Sequence, residues 1–135
     1  MAKVCVFLAE GFEEVEGLTV VDLLRRAGEE VLMVSIGTSL EVTGSHGIKV
    51  SADRLFEEAD YSDADMLVLP GGMPGTLHLG EHKGLTELLI KFNEADKKVA
   101  AICAAPGVFG ANGILKGRKA TCYPGCEEKL KGAVL

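Results

Sequence analysis

The stretch Val99-Ala100-Ala101-Ile102-Cys103-Ala104-Ala105-Pro106-Gly107 has the residue types of a reactive cysteine corner. Val99 to Ile102, small or β-branched and apolar, reads as a buried parallel strand. The small residues and Pro106 that follow suit a tight turn and the opening of a helix. A sulfur at that corner sits at the rim of a sheet, facing the free N–H groups and positive end of the next helix. This placement favours thiolate and predicts a Cys103 pKa below the free value of about 8.5. A second reading stands beside it: Cys103 as a small buried hydrophobe.

Four acids, Glu10, Glu13, Glu14 and Glu16, follow the first apolar run. Carboxylates in a first helical turn complement its dipole, which accounts for Glu13 and Glu14. Glu16, slightly inside the helix, is the candidate to reach Cys103 as a carboxylic acid kept protonated by burial, donating to the thiolate. Gly71-Gly72 is either a turn or a place where backbone N–H groups approach a reacting carbonyl as an oxyanion hole. His78-Leu79-Gly80-Glu81-His82 spells H-x-x-E-H, the order of an inverted zinc peptidase. Gly80 at its centre and the glycine-proline loop just ahead favour an exposed polar turn. Cys122-x-x-x-Cys126 has no second ligand pair to complete a zinc tetrahedron.

These residues need elements to hold them. Lys3–Ala9 is a continuous apolar run of strand length. Glu13–Ala27 carries Val15, Leu18, Val21 and Leu24 at helical spacing and stops at Gly28. Glu30–Ile36 reads as the next strand, which makes a right-handed βαβ unit. Leu40–Ser51 reads as a small hairpin, Asp65–Pro70 as a core strand, and Leu85, Leu88, Leu89 and Phe92 mark a further helix. Gly117–Tyr123 is expected to begin one more strand, and Glu127–Leu135 has no strong pattern. Strands apolar throughout that alternate with helices predict a mostly parallel sheet covered on both faces, an α/β three-layer sandwich, in one domain over residues 1–135. In such sheets ligands bind beyond the carboxyl ends of the strands, where the Glu10–Glu16, Gly71–Thr76 and Cys103–Pro106 loops fall.

The 135 residues, 47% of them hydrophobic, hold 14 basic and 20 acidic side chains, a net charge of −6. No basic stripe is present, which argues against nucleic acid and against an anionic membrane surface. The first loop is acidic, no G-x-G-x-x-G follows the first strand, and there is no P-loop lysine, so nucleotide binding is not expected. The Lys98–Lys116 run, broken by Pro106 and glycines, is no membrane span. Lys3 enters a strand with no signal segment ahead of it, and the four cysteines show no framework spacing. Both features predict free thiols in a reducing cytoplasm.

Four ordered motifs carry a resemblance. Leu8-Ala9-Glu10-Gly11-Phe12-Glu13-Glu14-Val15-Glu16, Val21-Asp22-Leu23-Leu24-Arg25-Arg26-Ala27-Gly28, Val68-Leu69-Pro70-Gly71-Gly72 and Ala100-Ala101-Ile102-Cys103-Ala104-Ala105-Pro106 resemble the ThiJ/PfpI family. They are most similar to the branch of the parkinsonism-associated deglycase and its bacterial relatives. The resemblance implies a flavodoxin-like fold and a homodimer. It implies Cys103 as nucleophile and oxidation-sensitive thiol, Glu16 as its protonated partner, and the N–H groups of Gly72 and Ala104 as oxyanion donors. Gly71 would line the pocket, and Arg26 would lie near the pocket and the dimer contact. It further implies cofactor-free conversion of small α-oxoaldehydes or their protein adducts to hydroxy acids, with an oxidative-stress role.

Three departures stand out. Ala104 stands where peptidase-like members place a histidine after the cysteine, which disfavours a cysteine peptidase lacking that imidazole base. Tyr123 stands where close members carry a pocket histidine, and His46 where an arginine often reaches toward the partner's pocket. The family pattern continues past residue 135 with another strand, a Gly-Pro-Gly loop and a helix. The expected function is therefore a cysteine-dependent glyoxalase or deglycase that needs no cofactor or metal. The alternatives are a redox-sensing or chaperone-like protein acting through Cys103, and less favoured, a zinc hydrolase using His78 and His82.

Overall fold

Along the chain the elements are Lys3–Leu8 (β1), Glu14–Arg26 (α1), Glu30–Ser35 (β2), Glu41–Thr43 (β3), Lys49–Ser51 (β4), Arg54–Leu55 (β5), Met66–Leu69 (β6), Gly75–Glu81 (α2), Lys83–Glu94 (α3), Lys98–Ala101 (β7) and Pro106–Ala111 (α4). Single 3-10 turns lie at Phe56–Glu58 and Glu127–Lys129. They are taken from a computed structural model that describes residues 1–135.

β1 is apolar from Val4 to Leu8 because both its faces are covered. It lies mid-sheet in the order β5-β2-β1-β6-β7, all pairs parallel, with Val4 opposite Val31 on one side and Met66 on the other. Because side chains alternate along a strand, Val4, Val6 and Leu8 point to one face and Cys5, Phe7 and Ala9 to the other. The first set packs with Phe12, Val21, Val31 and Val68, under α1. The second packs with Leu67, Leu79, Leu85, Leu89, Phe92 and Phe109, from β6 and from α2, α3 and α4. The result is the expected three-layer α/β sandwich, with α1 on one side and three helices on the other.

Leu85, Leu89 and Phe92 form the buried stripe of α3 at helical spacing, each fully buried side chain contributing roughly 1.5–3 kcal/mol. β3 and β4 form the expected hairpin, a separate antiparallel ribbon. α1 ends where Gly28 turns at φ +88°.

Two expectations need correction. Gly117–Tyr123 forms no strand of the sheet: Lys119 makes a single parallel bridge with Val134, held by the Ala120 N–H to Val134 O and the Val134 N–H to Arg118 O. The stretch before His82 is a helix, not an exposed turn. α2 forms despite Gly75 and Gly80 because Leu79 is wholly buried, and because Gly75 packs so closely on Phe12 that a Cβ there would lie 2.7 Å from the Phe12 backbone. Tertiary packing overrides weak local propensity here.

Candidate active site at the carboxyl edge

Beyond β7 the chain turns through Cys103 at φ +64°; Cys103 and Asp96 are the two non-glycine residues at positive φ. A left-handed conformation at a residue with a Cβ costs roughly 1–2 kcal/mol. The surroundings hold it: the Ala105 N–H donates to Ile102 O at 3.0 Å, the Tyr123 N–H donates to Cys103 O at 2.8 Å, and Pro106 begins α4. The turn swings the sulfur out of the strand line to the sheet edge, where Cys103 is half-buried. It is not sunk among aliphatics.

Glu16 arrives from the first turn of α1. Its Oε1 accepts the Gly71 N–H at 2.9 Å. The loops carrying the two residues are stitched backbone to backbone: the Glu13 N–H donates to Gly71 O at 2.9 Å and the Gly75 N–H to Gly11 O at 3.2 Å. Glycine is required where they touch. At Gly72, φ is +98° and a Cβ would lie 2.3 Å from the Glu13 nitrogen. At Gly71 a Cβ would sit 2.6 Å from Glu16 Oε1 and 2.7 Å from Cys103 Cβ. Glu16 and Cys103 therefore flank one point of backbone.

The electrostatics correct the expectation of a depressed thiol. Burial, then the hydrogen bond and charge of Glu16, push the Cys103 thiol above its ordinary value; the Ala104 N–H, aimed at the sulfur, pulls the other way without winning. The helix behind is short, six residues beginning at Pro106, so its dipole is weaker than the neighbouring carboxylate. Cys5, wholly buried in β1, is pushed up to about 11, chiefly by burial.

The other sequence candidates divide. Neither the Gly72 nor the Ala104 N–H donates to a backbone carbonyl. Tyr123, 58% exposed, touches the elbow through its backbone N–H. Arg26 is not brought here: it lies at the far end of α1, about 15 Å along the axis from Glu16, paired with Asp22 at 2.8 Å. His46, at the hairpin tip, meets Glu14 rather than Cys103, its Nδ1 lying 3.0 Å from Glu14 Oε1.

Glu14 is the residue that sequence reasoning passed over. Although it lies in the first turn of α1, it is buried, and its Oε2 accepts the N–H groups of His46 at 2.8 Å and Ile48 at 3.2 Å. Burial alone would raise its carboxyl, but the His46 hydrogen bond and the backbone donors outweigh it and bring it to about 2. The same contact holds His46 above its ordinary value. Glu13, Glu14 and His46 place ligand atoms within 4.8 Å of one another. Glu14 is already occupied by its donors, and its work is to pin the β3–β4 hairpin to α1. The one signal in the sequence is Gly44, where a Cβ would strike the Glu14 carboxyl carbon at 2.3 Å.

The H-x-x-E-H order does not form a zinc-binding helix. α2 ends at Glu81, and His82 caps α3, its Nδ1 accepting the Leu85 N–H at 2.9 Å. Its ring also stands edge-on to Phe56 at 4.6 Å. With Nδ1 accepting, neutral His82 carries its proton on Nε2 and has no lone pair there for a metal. A cavity of about 340 Å³ lined by Ala9, Glu10, Ile36, His78 and His82 opens beside it, separate from Cys103.

A doubly wound parallel sheet bearing a cysteine at a left-handed elbow, with a carboxyl at its side, defines a flavodoxin-like α/β protein with a nucleophile-type corner. Residues 2–134 match the DJ-1/PfpI family. DJ-1 homolog B of Arabidopsis thaliana is 40% identical over 129 residues, 95% of this chain and 30% of that protein. A deglycase of Pyrococcus abyssi is 36% identical over 132 residues, 97% of this chain and 78% of the relative. Among solved structures, oxidized DJ-1 of Toxoplasma gondii superposes with a TM-score of 0.92 at 37% identity, covering 96% of this chain and 71% of that one. Drosophila melanogaster DJ-1beta gives a TM-score of 0.92 at 32% identity, over 98% and 73%. The chain belongs to the DJ-1/PfpI family. It spans about a third of the length of its Arabidopsis relatives. No helix is long and apolar enough to cross a membrane.

Proposed function

We propose that the protein is a cysteine-dependent glyoxalase of the deglycase type, acting without a cofactor on small α-oxoaldehydes or their protein adducts. The observation that carries this reading is the meeting of Cys103 and Glu16 across Gly71; the deglycase names of archaeal relatives support it. In the first step the Cys103 sulfur adds to the aldehyde carbon, and its proton passes to Glu16, which lies across Gly71 from the thiol. The new oxyanion falls to the N–H groups of Gly72 and Ala104. Glu16 gives that proton to the oxyanion, completing the hemithioacetal, then takes the proton from the former aldehyde carbon and delivers it to the neighbouring carbon while the hydroxyl proton passes to the other oxygen, leaving a thioester that water cleaves to the hydroxy acid and the free thiol.

A raised thiol suits this order. Cys103 waits protonated beside its base and becomes nucleophilic as the proton leaves. Ala104 supplies no imidazole, so the carboxyl is the available base. Lactate formed from methylglyoxal without glutathione is the expected result, abolished in Cys103→Ser. Undiminished production by that variant overturns the reading.

We also propose a homodimer built through the Glu14 anchor. Val15 is 70% exposed and Ile48 is 52% exposed, beside Glu14 and its hairpin, and paired apolar residues in the open suit a second copy. Free thiols favour a reducing cytoplasm, and a role in oxidative stress follows from an oxidisable Cys103.

A further inference from the structure

Three of the four cysteines meet at one turn. The Tyr123 N–H donates to Cys103 O at 2.8 Å, and Tyr123 O accepts the Cys126 N–H at 3.1 Å. Cys122 Sγ lies 3.4 Å from that same Tyr123 oxygen, and the Cys126 N–H also points at the Cys122 sulfur. The 121–126 loop is thereby tied to the elbow by its own backbone, with Cys126 one hydrogen bond beyond Tyr123. The charge of Cys126 is felt at both Cys103 and Cys122. All three are free and half-buried. Gly125, at φ +96° with nothing within 4 Å of its Cβ position, lets the turn adjust without a clash. Cys5 is sealed in the core and takes no part.

We propose that Cys126 is the resolving thiol for Cys103, and that Cys122 then receives the disulfide. A hydroperoxide takes two electrons from the Cys103 sulfur, leaving Cys103–S–OH and releasing water or an alcohol. The Cys126 sulfur attacks the sulfenic sulfur, forms the S–S bond and expels the second oxygen as water. Cys122 attacks the Cys126 sulfur, which forms Cys122–Cys126 and returns Cys103 as a thiol. Two thiols thus supply the two electrons that one hydroperoxide consumes. The assignment shares Cys103 with the glyoxal chemistry but does not depend on turnover.

The test treats the reduced full chain with stoichiometric hydrogen peroxide, blocks remaining thiols with iodoacetamide and maps peptides by mass spectrometry. The expected product has lost two hydrogens, in a Cys103–Cys126 or Cys122–Cys126 link. Cys122→Ser should trap Cys103–Cys126, and Cys126→Ser should send Cys103 on to sulfinate while keeping lactate production. In Cys103→Ser, the Cys122–Cys126 link should form about tenfold more slowly, because the sulfur that forms the sulfenic acid beside the Glu16 carboxyl is gone. Cys103 sulfinate with Cys122 and Cys126 alkylated in the parent chain overturns the proposal, as does an equally fast Cys122–Cys126 link in Cys103→Ser. A parent chain that forms the disulfide but no lactate supports this assignment and overturns only the glyoxalase reading.

Discussion

Replacing Gly71 by alanine tests the geometry of the site at the point where it is tightest. Its methyl would sit 2.6 Å from Glu16 Oε1, 2.7 Å from Cys103 Cβ and 3.1 Å from Ile102 O. Ordinary contact begins near 3.4 Å, so the Glu16 oxygen must retreat by about 0.8 Å. The Ile102 carbonyl is backbone and anchored by the elbow turn, so the side chains give way. Gly71 is not at positive φ, and alanine suits its backbone; the effect is one of space alone. Overpacking of this size costs roughly 1–3 kcal/mol of stability. A displacement near 1 Å between reacting groups lowers turnover by about 10²-fold, or about 2.7 kcal/mol in the barrier. The assay is lactate release from methylglyoxal, read beside the pH profile of Cys103 alkylation. Glu16 helps to hold the thiol up, so moving it away shifts that profile toward lower pH, a change general destabilisation does not produce. Full turnover with an unmoved alkylation profile in a folded Gly71→Ala chain refutes the argument that Glu16 and Cys103 act as a pair.

Further outcomes follow from the same coordinates. Gly80→Ala, inside α2 with its nearest contact at an ordinary 3.7 Å, should stabilise the chain by roughly 0.4–1 kcal/mol, seen as a raised melting temperature with activity unchanged. The Glu14–His46 anchor should be firmest between pH 4.5 and 6.5. Glu14, lowered from 4.5 to about 2, contributes stability above pH 4.5 that fades as pH falls toward 2. His46, raised above 6.5, contributes below that value and loses its share as pH climbs through its raised pKa. Exchange of the Ile48 amide, corrected for its intrinsic pH dependence, should be slowest in that window, and a flat profile counts against the anchor. Ile48→Glu should lower the dimer fraction in sedimentation; an undisturbed dimer places the interface elsewhere. In the native chain Cys5 should resist iodoacetamide long after Cys103, Cys122 and Cys126 have reacted.

Much of the architecture was legible in the chain because the signals are local. Val4 to Leu8 and Met66 to Leu69 are apolar on both faces, which announces strands of a covered parallel sheet, and Leu85, Leu89 and Phe92 announce a helix by spacing alone. The corner at Cys103, followed by small residues and Pro106, was likewise readable, as was Glu16 as the acid that reaches the same edge of the sheet. Other features lie beyond any local pattern. α2 exists because Leu79 and Gly75 are packed by distant residues, and Gly117–Tyr123 fails as a strand because its pairing goes no further than one bridge, Lys119 to Val134. The burial of Glu14 under the hairpin depends on a loop more than 30 residues away, as its hydrogen bonds to His46 and Ile48 show. The direction of the Cys103 shift was decided the same way. Its local context, a turn ahead of a helix, favours the thiolate, but a carboxyl from α1 and the cover of neighbouring loops favour the thiol, and they win. Periodicity is written in consecutive residues; charge acts through space, and only the folded chain brings Glu16 to the sulfur.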